Sequence, residues 1–251
     1  TVFQEPGCLL LFLGCCEQLL EHVSLYMLTI HYFYSIYSQR MTEIINSTSN
    51  PRIKNIIKLQ SGSRERRGQN LFVIEGYREI GRAMQAGILI KELYICRDLD
   101  KQGRGDQLVG AGPGIQVFEV GSAAFARVAY REGSDGLIAL AEPRNLKLDD
   151  LKLKANPLIL ILESVEKPGN LGAIMRTADA AGIDAVIVCD PLTDIYNPNA
   201  IRSGVGCIFT SQVVTCTTSE AISWLQKHNI RSYAAALTHS AVTYHQVDFC
   251  G

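Results

Sequence analysis

The residues of this chain best placed to do chemistry lie in one stretch, Glu163-Ser164-Val165-Glu166-Lys167-Pro168-Gly169-Asn170-Leu171-Gly172-Ala173-Ile174-Met175-Arg176-Thr177-Ala178. It follows a continuous apolar run at 158–162, the mark of a strand covered on both faces. Ligands of an open parallel sheet sit outside the carboxyl ends of its strands, so the turn after such a strand belongs to the binding end. Asn170 offers a carboxamide that both donates and accepts, and Arg176 a planar cation that keeps its charge. Each also has a plainer reading, Asn170 as a helix N-cap and Arg176 as a solvated helix face. Six residues of α-helix turn through about 600°, roughly 120° short of two turns, so the pair line one cleft only if Asn170 belongs to the turn. The stretch holds no G-x-G-x-x-G, no G-K-[ST] and no G-x-S-x-G, which excludes a dinucleotide fingerprint, a Walker loop and a nucleophile elbow.

The elements that must position these residues can be read on both sides. Pro168-Gly169-Asn170 reads as a turn, 171–181 as a helix ended by Gly182, and 185–188 as the next buried strand. Strand, helix and strand make a βαβ unit with a parallel, right-handed crossover. A strand is expected at 208–214, and Thr217-Thr218-Ser219-Glu220 fits a capping box for a helix running to Lys227. A last strand is expected at 231–236. Upstream, Ile44-Ile45-Asn46-Ser47-Thr48-Ser49-Asn50-Pro51 reads as a cap-and-turn cluster. Ile53, Ile56, Ile57 and Leu59 then recur at near-helical spacing, and a polar tract at 61–70 breaks the pattern. Strands are expected at 71–74, 88–96, 115–120 and 136–141, a helix at 77–86 closed by Gly87, and a loop at 103–114. The fold class is therefore α/β. A small α/β block at 41–142 and a charged linker at 143–156 precede an open, doubly wound, mostly parallel sheet at 157–251.

Composition bounds the partners. With 251 residues, the chain holds one large domain or two small ones. Lys and Arg number 24 against 25 acids, so no chain-wide basic excess points to nucleic acid. A local cluster does: Lys54, Lys58, Arg64, Arg66 and Arg67 surround a single acid, Glu65. It reads as a phosphate-contact surface or as a solvated loop. Eight Cys show no CxxC pair and five His are scattered, which implies reduced, buried thiols and no metal site. Residues 1–40 differ in character, but Glu17, Glu21 and His22 interrupt their apolar runs, so no membrane span is expected. Neither is a secretory leader, since a basic start and a small-residue cleavage site are missing. The segment is read as extraneous to the native protein, with Met41 the initiator; the alternative is an amphipathic anchor on a membrane surface. The scattered, reduced thiols point to a cytoplasmic location.

The whole string Glu163-x4-Pro168-Gly169-Asn170-x-Gly172-x3-Arg176-Thr177-Ala178, with Ala181-Gly182, closely resembles the first motif of the SpoU/TrmH branch of the SPOUT RNA methyltransferases. Asn197-Pro198-Asn199-Ala200-Ile201-Arg202-Ser203-Gly204-Val205-Gly206-Cys207-Ile208-Phe209 resembles that family's next stretch. Asn50-Pro51-Arg52-Ile53-Lys54, Arg64-x-Arg66-Arg67 and Phe72-Val73-Ile74-Glu75-Gly76 look like its substrate-binding domain. The resemblance implies an enzyme that moves a methyl group from S-adenosyl-L-methionine to a ribose 2′-hydroxyl of ribosomal or transfer RNA. It also implies a knotted catalytic sheet and a homodimer paired through the knot. Asn170 and Arg176 are then catalytic, and Lys54, Lys58, Arg64, Arg66 and Arg67 bind RNA.

The family's two later motifs, Gly-x-Glu-x-x-Gly and Ser-x-Asn-x-Ser, are absent from this sequence, which reads as truncated before the knot-forming segment. The cofactor-binding residues are accordingly unassigned. Two other functions stay open at this point: a non-catalytic RNA-binding relative, and a nucleotide-dependent oxidoreductase that the missing glycine fingerprint disfavours. A cofactor of this size needs a concave pocket that buries most of its surface. The 251-residue chain is therefore expected to be inactive and to show no measurable binding of S-adenosylmethionine in calorimetry. Micromolar binding would show that the pocket is built from other residues.

Overall fold

The structure, a computed structural model, describes residues 41–112, 114–130, 133–236, 238–239 and 241–248. The expectations for residues 1–40 lie outside the described residues.

Strands β1 (Met41–Ile45), β2 (Phe72–Glu75), β3 (Ile90–Ile95), β4 (Gln116–Val120) and β5 (Leu137–Ala141) form one sheet in the order β1-β4-β3-β5-β2. β1 and β3 run parallel to β4, whereas β5 runs antiparallel to β3 and β2. Helix α1 (Pro51–Ser61) starts where Asn50 accepts from the Arg52 N–H and Pro51 takes the first position. Its apolar stripe of Ile53, Ile56 and Leu59 packs on Val73, Tyr94, Phe118 and Leu140. Helices α2 (Ser63–Gln69), α3 (Tyr77–Gln85), α4 (Arg104–Ala111) and α5 (Ser122–Val128) complete this half. Alternate residues of β2 serve opposite faces: Val73 joins the α1 side, while Phe72 and Ile74 face α3 and the second half of the molecule.

That second half is a three-stranded parallel sheet, β6 (Ile159–Glu163), β7 (Ala185–Cys189) and β8 (Gln212–Cys216), in that order. Central β7 is buried throughout. Val186 and Val188 face Leu171 and Met175 of α6 (Pro168–Ala180), Ile201 of α7 (Pro198–Ser203) and Phe209 of α8 (Cys207–Thr210). Ile187 and Cys189 face Trp224 and Leu225 of α9 (Thr218–Lys227). The capping box is present, Thr217 accepting from the Glu220 N–H and Glu220 accepting in return. One apolar core runs through both halves: Phe72 stacks on Tyr196 at 4.4 Å and on Phe209 at 5.9 Å.

Helices α6 and α7 cross closely at two glycines. A Cβ on Gly172 would stand 2.0 Å from Ser203 Oγ, 2.5 Å from the Ala200 carbonyl and 2.6 Å from the Gly204 nitrogen. A Cβ on Gly204 would stand 3.2 Å from the Gly172 carbonyl. Gly172 and Gly204 are therefore there for close approach.

Several expectations are corrected. Ile44 and Ile45 belong to β1, which pairs with β4, so the turn begins only at Asn46. The polar tract at 61–70 holds helix α2; Arg66 is its one buried residue, so it carries no apolar periodicity to read. The expected loop at 103–114 holds α4, whose first amides, Arg104 and Gly105, donate to buried Asp100. The linker at 143–156 lies on the sheet: Leu146 bridges to Val214, and Leu148, Leu151 and Leu153 pack over Ile187 and Trp224. The strand at 208–214 begins only at Gln212, because Gly206 at φ +74° turns the chain into α8 first. Residues 231–236 are exposed and join no ladder among the described residues. The run at 158–162 is not covered on both faces either, since Leu158 is 49% and Ile161 37% exposed on an edge strand.

Replacing Gly172 by Ala should cost about 1–3 kcal/mol, because the methyl group meets backbone it cannot displace. Gly68, inside α2 with nothing within 4 Å of its would-be Cβ, is the control: Gly68→Ala should stabilise by up to about 1 kcal/mol. Denaturant midpoints measure both, and equal effects would show that the crossing is not tight.

Candidate functional site

Helix α6 begins directly after the turn that leaves β6. Ser164 takes φ +51° and donates its N–H to the Cys189 carbonyl at 3.0 Å, which pins the turn to the end of β7. Lys167 is the N-cap and Pro168 the first helical residue, so Asn170 lies inside the first turn of α6 rather than before it. Asn170 and Arg176 thus sit on different faces, about 9 Å apart along the axis. Between them, about 60° from each, projects Ala173. All three are exposed, and the small Ala173 leaves an open shelf between the carboxamide and the guanidinium.

Arg176 has no hydrogen bond, ion pair or ring contact among the described residues, and neither has the Asn170 carboxamide. The acid one turn on, Asp179, is engaged elsewhere: it accepts from Thr210 Oγ1 at 2.7 Å and from Cys207 Sγ at 3.4 Å. The guanidinium is therefore left uncommitted for a ligand. Asn199, quoted in the second motif but given no role there, brings another carboxamide to this end; its Nδ2 would stand 3.8 Å from a Cβ on Gly169. At the strand ends, Asp190 accepts from both the backbone and the hydroxyl of Thr218, which hold its carboxyl below the usual range. Burial pushes the Cys216 thiol up to about 12, and the Cys189 and Cys207 thiols upward as well, so none is a nucleophile at neutral pH.

The basic cluster divides. Lys54 and Lys58, one turn apart on α1, and Arg64 and Arg67, three apart on α2, are exposed. Arg66 is not: it is 4% exposed, and its Nε donates to Asp194 Oδ2 at 2.6 Å. Its phase on α2 aims it inward, so Arg66 does not belong to an RNA-facing surface. The structure adds two residues that sequence reasoning missed. Arg202 of α7 lies over the Tyr130 ring at 5.6 Å, joining the two halves by a cation–π contact. A cleft of about 580 Å³ opens between the halves, with Arg67 and Asn70 on one lip and Leu192, Thr193 and Asn145 on the other.

Against known families, residues 50–139 match the MRM3-like substrate binding domain, and residues 157–251 match the SpoU rRNA Methylase family. A Bacillus subtilis protein named 23S rRNA (guanosine(2553)-2′-O)-methyltransferase RlmP is 30% identical over 197 residues, which is 78% of this chain and 75% of the relative. The chain belongs to the SpoU rRNA methylase family. The mouse mitochondrial rRNA methyltransferase 3 is 26% identical over 73% of this SpoU chain, which spans only 44% of that longer relative. Among solved structures, an RNA 2′-O ribose methyltransferase shares 37% identity at a TM-score of 0.63, over 74% of this chain and 70% of its own. The AdoMet-bound rRNA methyltransferase from Sinorhizobium meliloti shares 26% at 0.65, over 74% of this chain and 69% of its own. These likenesses favour the methyltransferase over the non-catalytic binder, and they make S-adenosylmethionine the family's methyl donor.

Fit to that donor can be judged on the strand ends. Glu163, Ser164 and Glu166 are exposed at the carboxyl end of β6, and Leu158 and Ile161 stay bare along it. The described residues therefore do not enclose a molecule of that size. What they do build is the exposed shelf of Asn170, Ala173 and Arg176 on α6.

Proposed function

We propose that this SpoU protein methylates a ribose 2′-hydroxyl of RNA, with ribosomal RNA favoured over transfer RNA by the names of its relatives. Residues 41–142 serve as the RNA-binding domain and 157–251 as the methyltransferase domain, joined by the ordered segment 143–156. The observation that carries the reading is the uncommitted Arg176 on the exposed shelf of α6, with Asn170 at the other end.

The chemistry follows from what these groups can and cannot do. Bound S-adenosylmethionine supplies an electrophilic methyl group on a sulfonium. The acceptor hydroxyl is a poor nucleophile until its oxygen gains negative charge. Arg176 cannot take the proton, since a guanidinium stays protonated at any physiological pH. It can hold the adjoining phosphate through two parallel N–H donors and stabilise the developing alkoxide. Asn170 gives a further hydrogen bond at the amino end of α6, where the helix dipole also favours an anion. The exposed cations Lys54, Lys58, Arg64 and Arg67 supply the sequence-independent part of RNA affinity.

We infer a homodimer as the working state, and a cytoplasmic location. No helix among the described residues is long and apolar enough to cross a membrane. The described thiols, Cys96, Cys189, Cys207 and Cys216, are unpaired, as a reducing compartment would keep them.

Replacing Arg176 by Ala in the native enzyme should lower methyl incorporation into RNA by about 10²–10³-fold. Its melting temperature should not move, since the side chain has no partner to lose among the described residues. Near-normal turnover would refute the assignment. Replacing Arg64 and Arg67 together by Ala should weaken RNA binding and reduce the slope of log K against log salt by about one to two. An unchanged slope would remove α2 from the interface.

A further inference from the structure

Asp194 stands outside the acceptor site, yet three bonds tie that site through it to the other half of the molecule. Its Oδ2 accepts from Arg66 Nε at 2.6 Å. Its Oδ1 accepts from the Tyr196 N–H at 2.9 Å, and its carbonyl accepts from the Asn197 N–H at 3.0 Å. Asn197 is the N-cap of α7, its side chain accepting from the Asn199 N–H. Helix α7 then crosses α6 at the Gly172–Gly204 contact. On the opposite side, Arg66 Nη1 donates to the carbonyls of Leu59 at 2.6 Å and Gln60 at 3.2 Å, at the end of α1. The two side chains are only 5% and 14% exposed.

We propose that Arg66 and Asp194 are positioning residues: their buried pair clasps the RNA-binding half to the α7 turn and so sets where docked RNA presents its ribose to α6. The inference rests on the methyltransferase reading above. Apolar contact between the halves, through Phe72, Tyr196 and Phe209, is non-directional and allows sliding. The guanidinium is directional, with one edge on Asp194 and the other on the carboxyl end of α1, and a lysine cannot reproduce both. Burial raises the stakes, because a charge left without its partner in this joint is strongly disfavoured. Methyl transfer is sensitive to such placement: an error of about 1 Å far from the chemistry can cost about 10²-fold. Two contacts elsewhere in the joint, Arg82 Nη1 to the Val205 carbonyl at 3.0 Å and the Arg144 N–H to Tyr196 Oη at 2.8 Å, keep the halves together when the clasp is lost.

The test compares Arg66→Lys, Asp194→Asn and the double variant in the native enzyme. Each single change should lower kcat by about 10–100-fold, and the double variant should be no worse than the poorer single. The Kd for RNA should stay within about twofold and its salt slope unchanged, since the two side chains are largely buried and bonded to each other. Spin labels placed one in each half should show a broadened distance distribution. Arg66→Lys keeps the charge and is the milder arm; should Asp194→Asn not fold, Arg66→Lys alone carries the test. A weaker Kd with a flatter salt slope would make Arg66 a phosphate contact and overturn the proposal. So would an unaltered kcat with an unaltered distance distribution. If the unsubstituted native enzyme transfers no methyl group, the methyltransferase reading fails, and the distance measurement still decides whether the clasp exists.

Discussion

Everything chemical in this molecule depends on two helices that touch backbone to backbone. Gly172 and Gly204 let α6 and α7 approach so closely that a Cβ at the first would overlap Ser203 and the Ala200 carbonyl. That contact turns two separate strand-to-helix connections, after β6 and after β7, into one rigid surface. It places Asn199 beside the first turn of α6, and leaves Asn170, Ala173 and Arg176 facing outward. The same crossing links the first half of the molecule to the α6 shelf, because α7 begins at the turn that Asp194 organises.

The arginines show how burial sorts one residue type into several roles. Arg66 and Arg67 are neighbours in sequence, yet one is locked in the joint and the other stands in solvent. Adjacent residues on a helix point about 100° apart, which is enough to separate a buried anchor from an exposed cation. Arg202 stacks on Tyr130 and Arg82 holds the α7–α8 turn, so both help to join the halves. Arg176 has none of these duties among the described residues.

Much of this could be read from the sequence, for physical reasons that also explain the failures. The capping box at Thr217, the glycine stop at Gly182 and the buried run of β7 are local signals, and the structure reproduces them. Helices α2 and α4 were illegible because their stability comes from elsewhere. One is held by a buried arginine and the other by the side chain of Asp100, and neither carries an apolar stripe long enough to show a period. The run 231–236 has strand chemistry but no neighbour to pair with among the described residues. β6 reads as fully buried from its composition alone, yet composition cannot say what will cover an edge. Asn170 and Arg176 stand out in the sequence by residue type and by the motif they belong to; that Ala173 lies between them follows only from knowing that Asn170 is already helical.

On the proposed reading, the shelf of α6 presents a ribose hydroxyl, and not a base, to the methyl donor. A 2′-O-methyl group removes the oxygen that alkali uses to cleave the neighbouring phosphodiester, so the position of the methyl group is written in the hydrolysis pattern. The native enzyme, supplied with methyl-labelled S-adenosylmethionine and unmodified ribosomal RNA, should place its label in alkali-resistant dinucleotides. Label recovered in ordinary mononucleotides, which marks methylation of a base, would contradict the account.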